Sequence, residues 1–186
     1  MALTKDRVLG TALEIVDSYG LGDLSMRRLA GALGVQPGAL YYHVANKQTL
    51  LIELADLILA DPIPTTPQQA GEQPGDWLRE WGLGLHRQLR AHRCGAELVS
   101  AALAMRPAGE SPARPVLERL THGGLSAEDA AAVAAGALHL VIGHSLDAEQ
   151  RAQYAELGHD CGAEDPEAAE RRLDAALGML ARGAGC

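Results

Sequence analysis

Apolar residues recur at intervals of three and four along the first 60 residues of the chain, and this spacing predicts short α-helices. Residues able to cap a helix precede the apolar stretches, and glycine or proline separates them. The predicted helices begin near Thr4, Ser25, Pro37 and Asn46 and end near Tyr19, Leu33, Val44 and Leu59. Their expected inward-facing residues are Val8, Ala12, Ile15, Val16, Tyr19, Leu29, Ala30, Leu33, Leu40, Val44, Leu50, Leu54, Leu57 and Ile58.

A proline- and glycine-rich stretch, DPIPTTPQQAGEQPG at positions 61–75, interrupts this pattern. We interpret it as the connection between a domain of residues 1–60 and a larger domain of residues 76–186. In the larger domain the pattern predicts helices near residues 76–92, 95–105, 116–120 and 166–181, and a long helix that begins at Ser126 with Asp129 as its capping partner. Runs of β-branched residues are nearly absent, so the predicted fold class is all-α.

The second and third predicted helices, residues 25–33 and 37–44, are joined by a tight glycine turn, which is the pattern of a helix-turn-helix. In that motif the second helix enters the major groove of DNA. Tyr41 and Tyr42 are adjacent and cannot both face one core. The pattern therefore predicts a DNA-reading surface, and the alternative is an ordinary helical corner whose aromatic residues are buried.

Residues 4–60 resemble the DNA-binding head of the tetracycline-repressor (TetR) family of bacterial transcriptional regulators. The resemblance rests on ALEIVDSYGLGDLSMRRLAGALGVQPGALYYHVANKQTLL. It implies a three-helix helix-turn-helix head, a larger helical domain for ligand binding and dimerisation, and release of operator DNA when a ligand binds. The DNA-contacting positions that it implies are Arg27, Gln36, Pro37, Gly38, Ala39, Tyr41, Tyr42, His43 and Lys47.

The larger domain resembles that of tetracycline repressors over about residues 76–150, through DWLREWGLGLHRQLRAHRCGAELV, an Arg-Pro pair and GLSAEDAAAVAAGALHLVIGHSLDAEQ. In those repressors a histidine four residues before the Arg-Pro pair binds the magnesium of the drug chelate. Ala102 occupies that position here, and Trp81 stands where a drug-binding amide would be. Asp147 keeps an acid where those repressors have one. These departures favour an apolar or aromatic inducer over a tetracycline–magnesium chelate, and no metal or cofactor is expected.

A small-molecule site among the helices of the larger domain should be mostly apolar, with a few polar groups. Trp81 offers a flat wall, and Arg106 offers a polar group next to a proline. The candidate lining residues are Trp77, Trp81, Leu85, His86, Val99, Leu103, Arg106, Val116, Leu117, His139 and Asp147.

A single head reads few base pairs, whereas a two-fold dimer presents two heads at a fixed spacing. The long helix that begins at Ser126 is rich in alanine and glycine, which permits close helix approach. The last helix carries Leu173, Leu177 and Leu180 in line. We expect these two helices from each subunit to form a four-helix bundle in a homodimer. The alternative is that both faces are buried within one protomer.

The net charge of −8 is unevenly distributed along the chain. Residues 1–50 hold five Lys or Arg and four Asp or Glu, a net charge of +1, which leaves −9 for residues 51–186. A near-neutral head can hold phosphates through a few basic groups, while an acidic body repels DNA elsewhere. This pattern disfavours an architectural DNA protein, which is usually basic over most of its surface.

The chain has neither a 20-residue apolar run nor a signal sequence at its N-terminus, so we expect a cytoplasmic protein without a membrane partner. The three cysteines are far apart, as is typical of reduced thiols.

Metal or redox sensing and catalysis are the alternative functions. His139 and His144 are five residues apart and His86 and His92 six, and neither spacing is the i, i+4 spacing of a helical metal site. Cys94 follows a histidine and an arginine, a cationic neighbourhood that favours a reactive thiolate. The sequence lacks GxSxG, HExxH and phosphate-loop motifs, so no catalytic residue is expected.

Overall fold

The structure, a computed structural model, describes residues 2–61, 63, 75–106, 110–160 and 165–185. Within these ranges every regular element is helical, which confirms the all-α prediction. The predicted connection of residues 61–75 lies outside the described residues except at its two ends and at Ile63. Pro107, Cys161 and Cys186 also lie outside them.

Nine α-helices and one short 3-10 helix make up the described part of the chain. They are α1 (Lys5–Tyr19), the 3-10 helix (Leu21–Asp23), α2 (Met26–Leu33), α3 (Pro37–Leu40), α4 (Lys47–Ile58), α5 (Asp76–Arg90), α6 (Gly95–Met105), α7 (Arg114–His122), α8 (Ala127–Glu156) and α9 (Pro166–Gly183).

Local capping chemistry explains where several helices begin and end. The side chains of Thr4, Ser25, Asn46 and Ser126 each accept a backbone N–H from three residues further on, at 3.3, 3.1, 2.8 and 3.1 Å. Each bond satisfies an amide that the first turn of a helix leaves unpaired. Gly34 ends α2 in the left-handed conformation, with φ of 69°, which glycine adopts without strain.

The third helix is shorter than predicted. α3 ends at Leu40, and residues 41–43 continue as a turn. The amides of His43 and Val44 both donate to the carbonyl of Leu40, each at 2.9 Å, and the bond from His43, which spans three residues, tightens this end of the helix. α5 ends at Arg90, two residues earlier than predicted, while α7 and α9 extend beyond their predicted ends.

Two predicted core residues lie at the surface. Tyr19 is 59% exposed, and the guanidinium carbon of Arg28 lies 4.0 Å from its ring centroid. Leu57 is 43% exposed. Both predictions were wrong because helical spacing places a residue near the apolar face but does not show how much of that face the neighbouring helices cover.

The described chain forms two compact units. Unit one contains residues 2–61 and 88–106, so α6 packs along α4 within it. A Cβ atom at Gly95 would lie 2.1 Å from the carbonyl oxygen of Leu89, so only glycine fits at the first position of α6. The core of unit one includes Val8, Ala12, Val16, Leu24, Leu29, Leu40, Leu50, Leu54, Leu98 and Ala102.

Unit two contains the remaining described residues, and the boundary crosses α5 after Arg87. α8 packs against α7 and α9. Arg79 of α5 donates through Nε to Asp174 of α9 at 2.7 Å, and this hydrogen bond raises the pKa of Arg79 above its ordinary value. The buried residues include Trp77, Trp81, Leu85, Val116, Leu120, Leu138, Val141, Leu173 and Leu177.

One described helix, α8, is long and apolar enough to cross a membrane when only length and composition are considered. Its most apolar 18-residue window has a mean hydropathy of 1.3, and 39% of that window is buried inside the protomer. A core helix of a soluble protein meets the same two conditions, so this is weak evidence for a membrane span.

Candidate nucleic-acid interface and ligand-binding residues

Buried aliphatic side chains pack beneath the helix-turn-helix. Leu29 and Ala30 of α2 are fully buried, as is Leu40 of α3. Val44, just after α3, is 1% exposed. The predicted core role of Leu40 and Val44 is therefore confirmed, and the opposite surface of α3 is left to solvent.

The nine predicted DNA-contacting residues all lie in the described part of unit one, and each is exposed or half-buried. The two adjacent tyrosines are the most informative of them. Tyr42 is 91% exposed and Tyr41 is 53% exposed. Neither ring is part of a core, so the alternative of a helical corner with buried aromatic residues does not describe this structure.

Neighbouring basic residues differ in whether their charge is already paired. Arg28 forms an ion pair with Asp23 and stacks on a tyrosine ring. Arg27 and Lys47 are exposed and have no ion-pair partner among the residues that the structure describes. Lys47 is also the first residue of α4, where the peptide dipoles add positive potential. Two unpaired positive charges therefore flank the exposed tyrosines along the chain.

The aromatic candidates for ligand binding are buried in unit two. Trp77 is 7% exposed and Trp81 is 2% exposed. The guanidinium carbon of Arg119 lies 4.6 Å from the Trp77 ring centroid, a cation–π contact. The indole Nε1 of Trp81 is buried and has no hydrogen-bond partner among the described residues. Leu85 and Val116 are fully buried in the same unit.

Three of the ligand candidates belong to unit one. Val99 is buried in α6 and Leu103 is half-buried. The guanidinium of Arg106 forms an ion pair with Asp56, and its Nη2 donates to the carbonyl of Ile52 at 3.4 Å. The charge of Arg106 is therefore satisfied by α4 within the protomer.

Two more candidates face outward from α8. His139 and Asp147 are both exposed, and Asp147 accepts from Arg151 Nε at 2.9 Å. They are eight residues apart, so they share one face of the helix. Leu117 is half-buried on α7.

The structure also reveals a buried polar cluster that the sequence did not indicate. His86 Nδ1 lies 2.8 Å from Ser145 Oγ, and the His86 and His144 rings are 5.2 Å apart. Ser145 Oγ donates to the carbonyl of Val141 at 2.8 Å, so Nδ1 of His86 is the donor to Ser145. Ser145 and Glu149 are almost completely buried. Histidine spacing along one helix cannot reveal this pair, because the two rings meet across α5 and α8.

The residues present do not fit the magnesium site of tetracycline repressors. Ala102, at the position of the metal-binding histidine, is fully buried and offers only a methyl group. The carboxylate of Asp147 is paired with an arginine. Within the described ranges, no three His, Cys, Asp or Glu side chains form a group that could hold a metal ion.

Comparison with known proteins agrees with the geometry of the head. Residues 8–54 match the family model described as bacterial regulatory proteins, tetR family. The tetracycline repressor protein class E of Escherichia coli is 34% identical over 170 residues, which cover 88% of this chain and 77% of that protein.

Solved structures are similar over almost the whole chain. BioQ has a TM-score of 0.79 at 32% identity and covers 99% of both chains. Its structure with its double-stranded DNA operator has a TM-score of 0.75 and covers 98% of both chains. Streptomyces coelicolor ActR in complex with (S)-DNPA has a TM-score of 0.77 at 27% identity, covering 99% of this chain and 98% of that chain.

Proposed function

Because the chain belongs to the tetR family of bacterial regulatory proteins, we propose that it is a repressor that binds a near-palindromic operator as a homodimer and releases it when a small apolar or aromatic ligand binds. Its class as a transcriptional regulator, and not an enzyme, follows from the family. The observation that carries the DNA-binding part of this proposal is Tyr42, which is 91% exposed on the helix-turn-helix, and Arg27 and Lys47 add exposed positive charges without an ion pair among the described residues.

DNA contact is proposed for the nine residues named above. The exposed tyrosines can offer hydroxyl groups to phosphates and ring edges to thymine methyl groups. Arg27 and Lys47 can each neutralise a phosphate, because no neighbouring carboxylate competes for them in the described structure. BioQ, which has the same fold, has been solved with its double-stranded DNA operator, and this supports duplex DNA as the partner.

The proposed dimer uses α8 and α9. Small residues on α8 stay exposed in the protomer, among them Ala132, Ala135 and Gly143. On α9 the predicted leucine stripe is only partly available, because Leu173 and Leu177 are buried within the protomer; Leu180 is half-buried and Met179 is 66% exposed. A groove between the two helices is lined by Leu125, Asp129, Ala132, Val133, Met179, Leu180, Gly183 and Ala184. Covering these faces with a second subunit would remove apolar surface from water and would make α8 a core helix rather than a membrane span.

We keep the domain division proposed from the sequence. It assigns residues 1–60 to the DNA-binding head, residues 61–75 to the connection, and residues 76–186 to the domain for dimerisation and ligand binding, although residues 88–106 pack with the head in unit one. The location that we propose is the cytoplasm, because an operator-binding protein must reach DNA.

The ligand site is proposed around the buried aromatic residues of α5. An unpartnered indole N–H in an apolar interior is unfavourable by about 1–3 kcal/mol, and a ligand oxygen would satisfy it. ActR in complex with (S)-DNPA shows that a protein of this fold holds a small organic molecule. We therefore propose an aromatic inducer that carries a hydrogen-bond acceptor. Close packing of α6 on α4 would pass the effect of inducer binding to the head.

Selection of duplexes from a random DNA pool tests the repressor proposal. The protein should enrich one near-palindromic sequence and bind it at least about 10³-fold more tightly than random DNA. Release of that duplex by a small aromatic compound completes the test. Enrichment of no common sequence would contradict the proposal.

Trp81→Phe should weaken the response to an inducer while leaving operator binding unchanged without it. Phenylalanine keeps an aromatic wall but has no N–H donor, so the loss is one hydrogen bond of about 1 kcal/mol, or roughly fivefold in inducer concentration. The measurement is the compound concentration that releases half of a labelled operator. Lower operator affinity of the ligand-free variant would instead assign Trp81 to the core alone.

A further inference from the structure

The turn between α5 and α6 is attached to the first helix of the head by a single carboxylate. Asp17, in the last turns of α1, accepts from His92 Nδ1 at 3.0 Å and from the backbone N–H of Arg93 at 3.1 Å. The two bonds use different carboxylate oxygens, so they fix the turn in both position and orientation. The side chains of Asp17 and His92 are 38% and 24% exposed, so the contact is only partly screened by solvent.

The opposite end of α6 is attached to a different helix of the head. Arg106 follows the last residue of α6, and its side chain is only 12% exposed. It forms an ion pair with Asp56 of α4 and donates to the carbonyl of Ile52. α6 therefore has one polar attachment to α1 and another to α4, about one helix length apart.

Close packing joins the two attachments. Leu98, Val99 and Ala102 of α6 are buried, and the first residue of the helix is a glycine that no other residue could replace without moving Leu89. The Cys94 side chain, at the start of α6, lies within 4.0 Å of the Cβ position of Gly20, which ends α1. This end of α6 consequently has little room to slide along the head.

We propose that Asp17 is a positioning residue that, together with Arg106, makes α6 and the DNA-binding head move as one rigid piece. A helix attached at one point can pivot without turning its neighbour, whereas a helix attached at two separated points transmits rotation as well as translation. In a dimer, a head that pivots on α6 could reach half-sites at more than one spacing, so we expect the two attachments to narrow the operator spacings that the protein accepts. This inference rests on the proposed repressor function.

The test measures how strictly the protein demands one spacing between operator half-sites. One inserted base pair moves the half-sites apart by about 3.4 Å and rotates one of them by about 35°. The wild-type protein should lose about 100-fold in affinity for this duplex, as expected when one head no longer reaches its site. Asp17→Ala should lose less than about tenfold on the same insertion and should bind the selected operator about three- to tenfold more weakly.

Glu14→Ala is the matched control, because Glu14 lies on the same helix, is exposed and has no ion pair among the described residues. It should keep the wild-type spacing preference. His92→Ala removes one of the two bonds to Asp17, so this single variant should also relax the spacing preference. Added to Asp17→Ala, it should have no further effect, because the bond is already absent. It also provides a second test should Asp17→Ala fold poorly.

The outcomes separate the two proposals. If the wild-type protein selects no spaced palindrome, the repressor proposal fails and the positioning role fails with it. If the wild-type protein selects one and both Asp17→Ala and His92→Ala retain the full 100-fold spacing penalty, only the positioning role is overturned. A uniform loss of stability would lower affinity for all spacings equally, which is also a negative result.

Discussion

Tyr42→Ala should weaken binding to the selected operator by about 10- to 100-fold, the equivalent of about 1–3 kcal/mol for one groove contact. The side chain is 91% exposed and contributes almost nothing to the protomer core. Thermal stability should therefore stay within about 0.5 kcal/mol of the wild-type protein. Fluorescence anisotropy of labelled operator at fixed salt, together with thermal unfolding, measures both quantities.

Lys47→Ala should weaken binding in a different way. A lysine that neutralises one phosphate contributes equally to the affinity for every DNA sequence. Its removal should make the fall of log K with log salt shallower by about one unit of slope. Tyr42→Ala should leave that slope unchanged, because a tyrosine carries no charge. Titrations at several salt concentrations distinguish the two roles.

Tyr154→Ala provides the control for the tyrosine result. Tyr154 is 53% exposed but lies near the end of α8, in unit two. It should bind the operator as the wild-type protein does. Equal affinity of Tyr42→Ala and Tyr154→Ala would mean that the turn after α3 does not contact the groove as proposed.

Gly143→Leu should separate the dimer and, as a result, reduce operator affinity by more than about 100-fold. In the protomer a Cβ atom at Gly143 meets nothing within 4 Å, so a leucine fits there. Leucine also favours a helix by roughly 0.5–1 kcal/mol over glycine. The side chain would occupy the space that a closely packed partner helix needs, and overpacking of that kind is destabilising by about 1–3 kcal/mol at each copy.

Sedimentation at several protein concentrations measures the effect, because the dissociation constant of the dimer should rise. Gly10→Leu is the matched control, since Gly10 also lies within a helix and has open space around its Cβ position, but on α1. It should remain dimeric. A Gly143→Leu protein that is dimeric at the same concentrations as Gly10→Leu would place the dimer interface elsewhere.

Much of the head could be predicted from the sequence because its boundaries are set by local chemistry. Thr4, Ser25 and Asn46 cap the helices that they were expected to cap, and each does so with a bond to a residue three positions away. The apolar spacing likewise identified the buried faces of α1 and α2, with Leu29 and Ala30 pointing inward. These interactions span only a few residues, so the sequence carries them directly.

The contacts that the sequence missed join residues distant along the chain. Asp17 meets His92 across 75 positions, and His86 meets Ser145 across 59. No local pattern connects such pairs, because they depend on how whole helices pack. The same reason explains why Tyr19 was expected in the core, although it instead supports Arg28 at the surface. Which residues bind the ligand and the DNA remains a prediction for the variants above.

The two tryptophans of the chain, Trp77 and Trp81, both lie in α5, and the head has none. Intrinsic indole emission therefore observes unit two, where the ligand site is proposed, without any attached dye. Adding operator to the ligand-free protein would alter this optical signal only through mechanical communication between the halves. A fluorescence titration with operator can thus test whether DNA binding at the head changes the surroundings of α5.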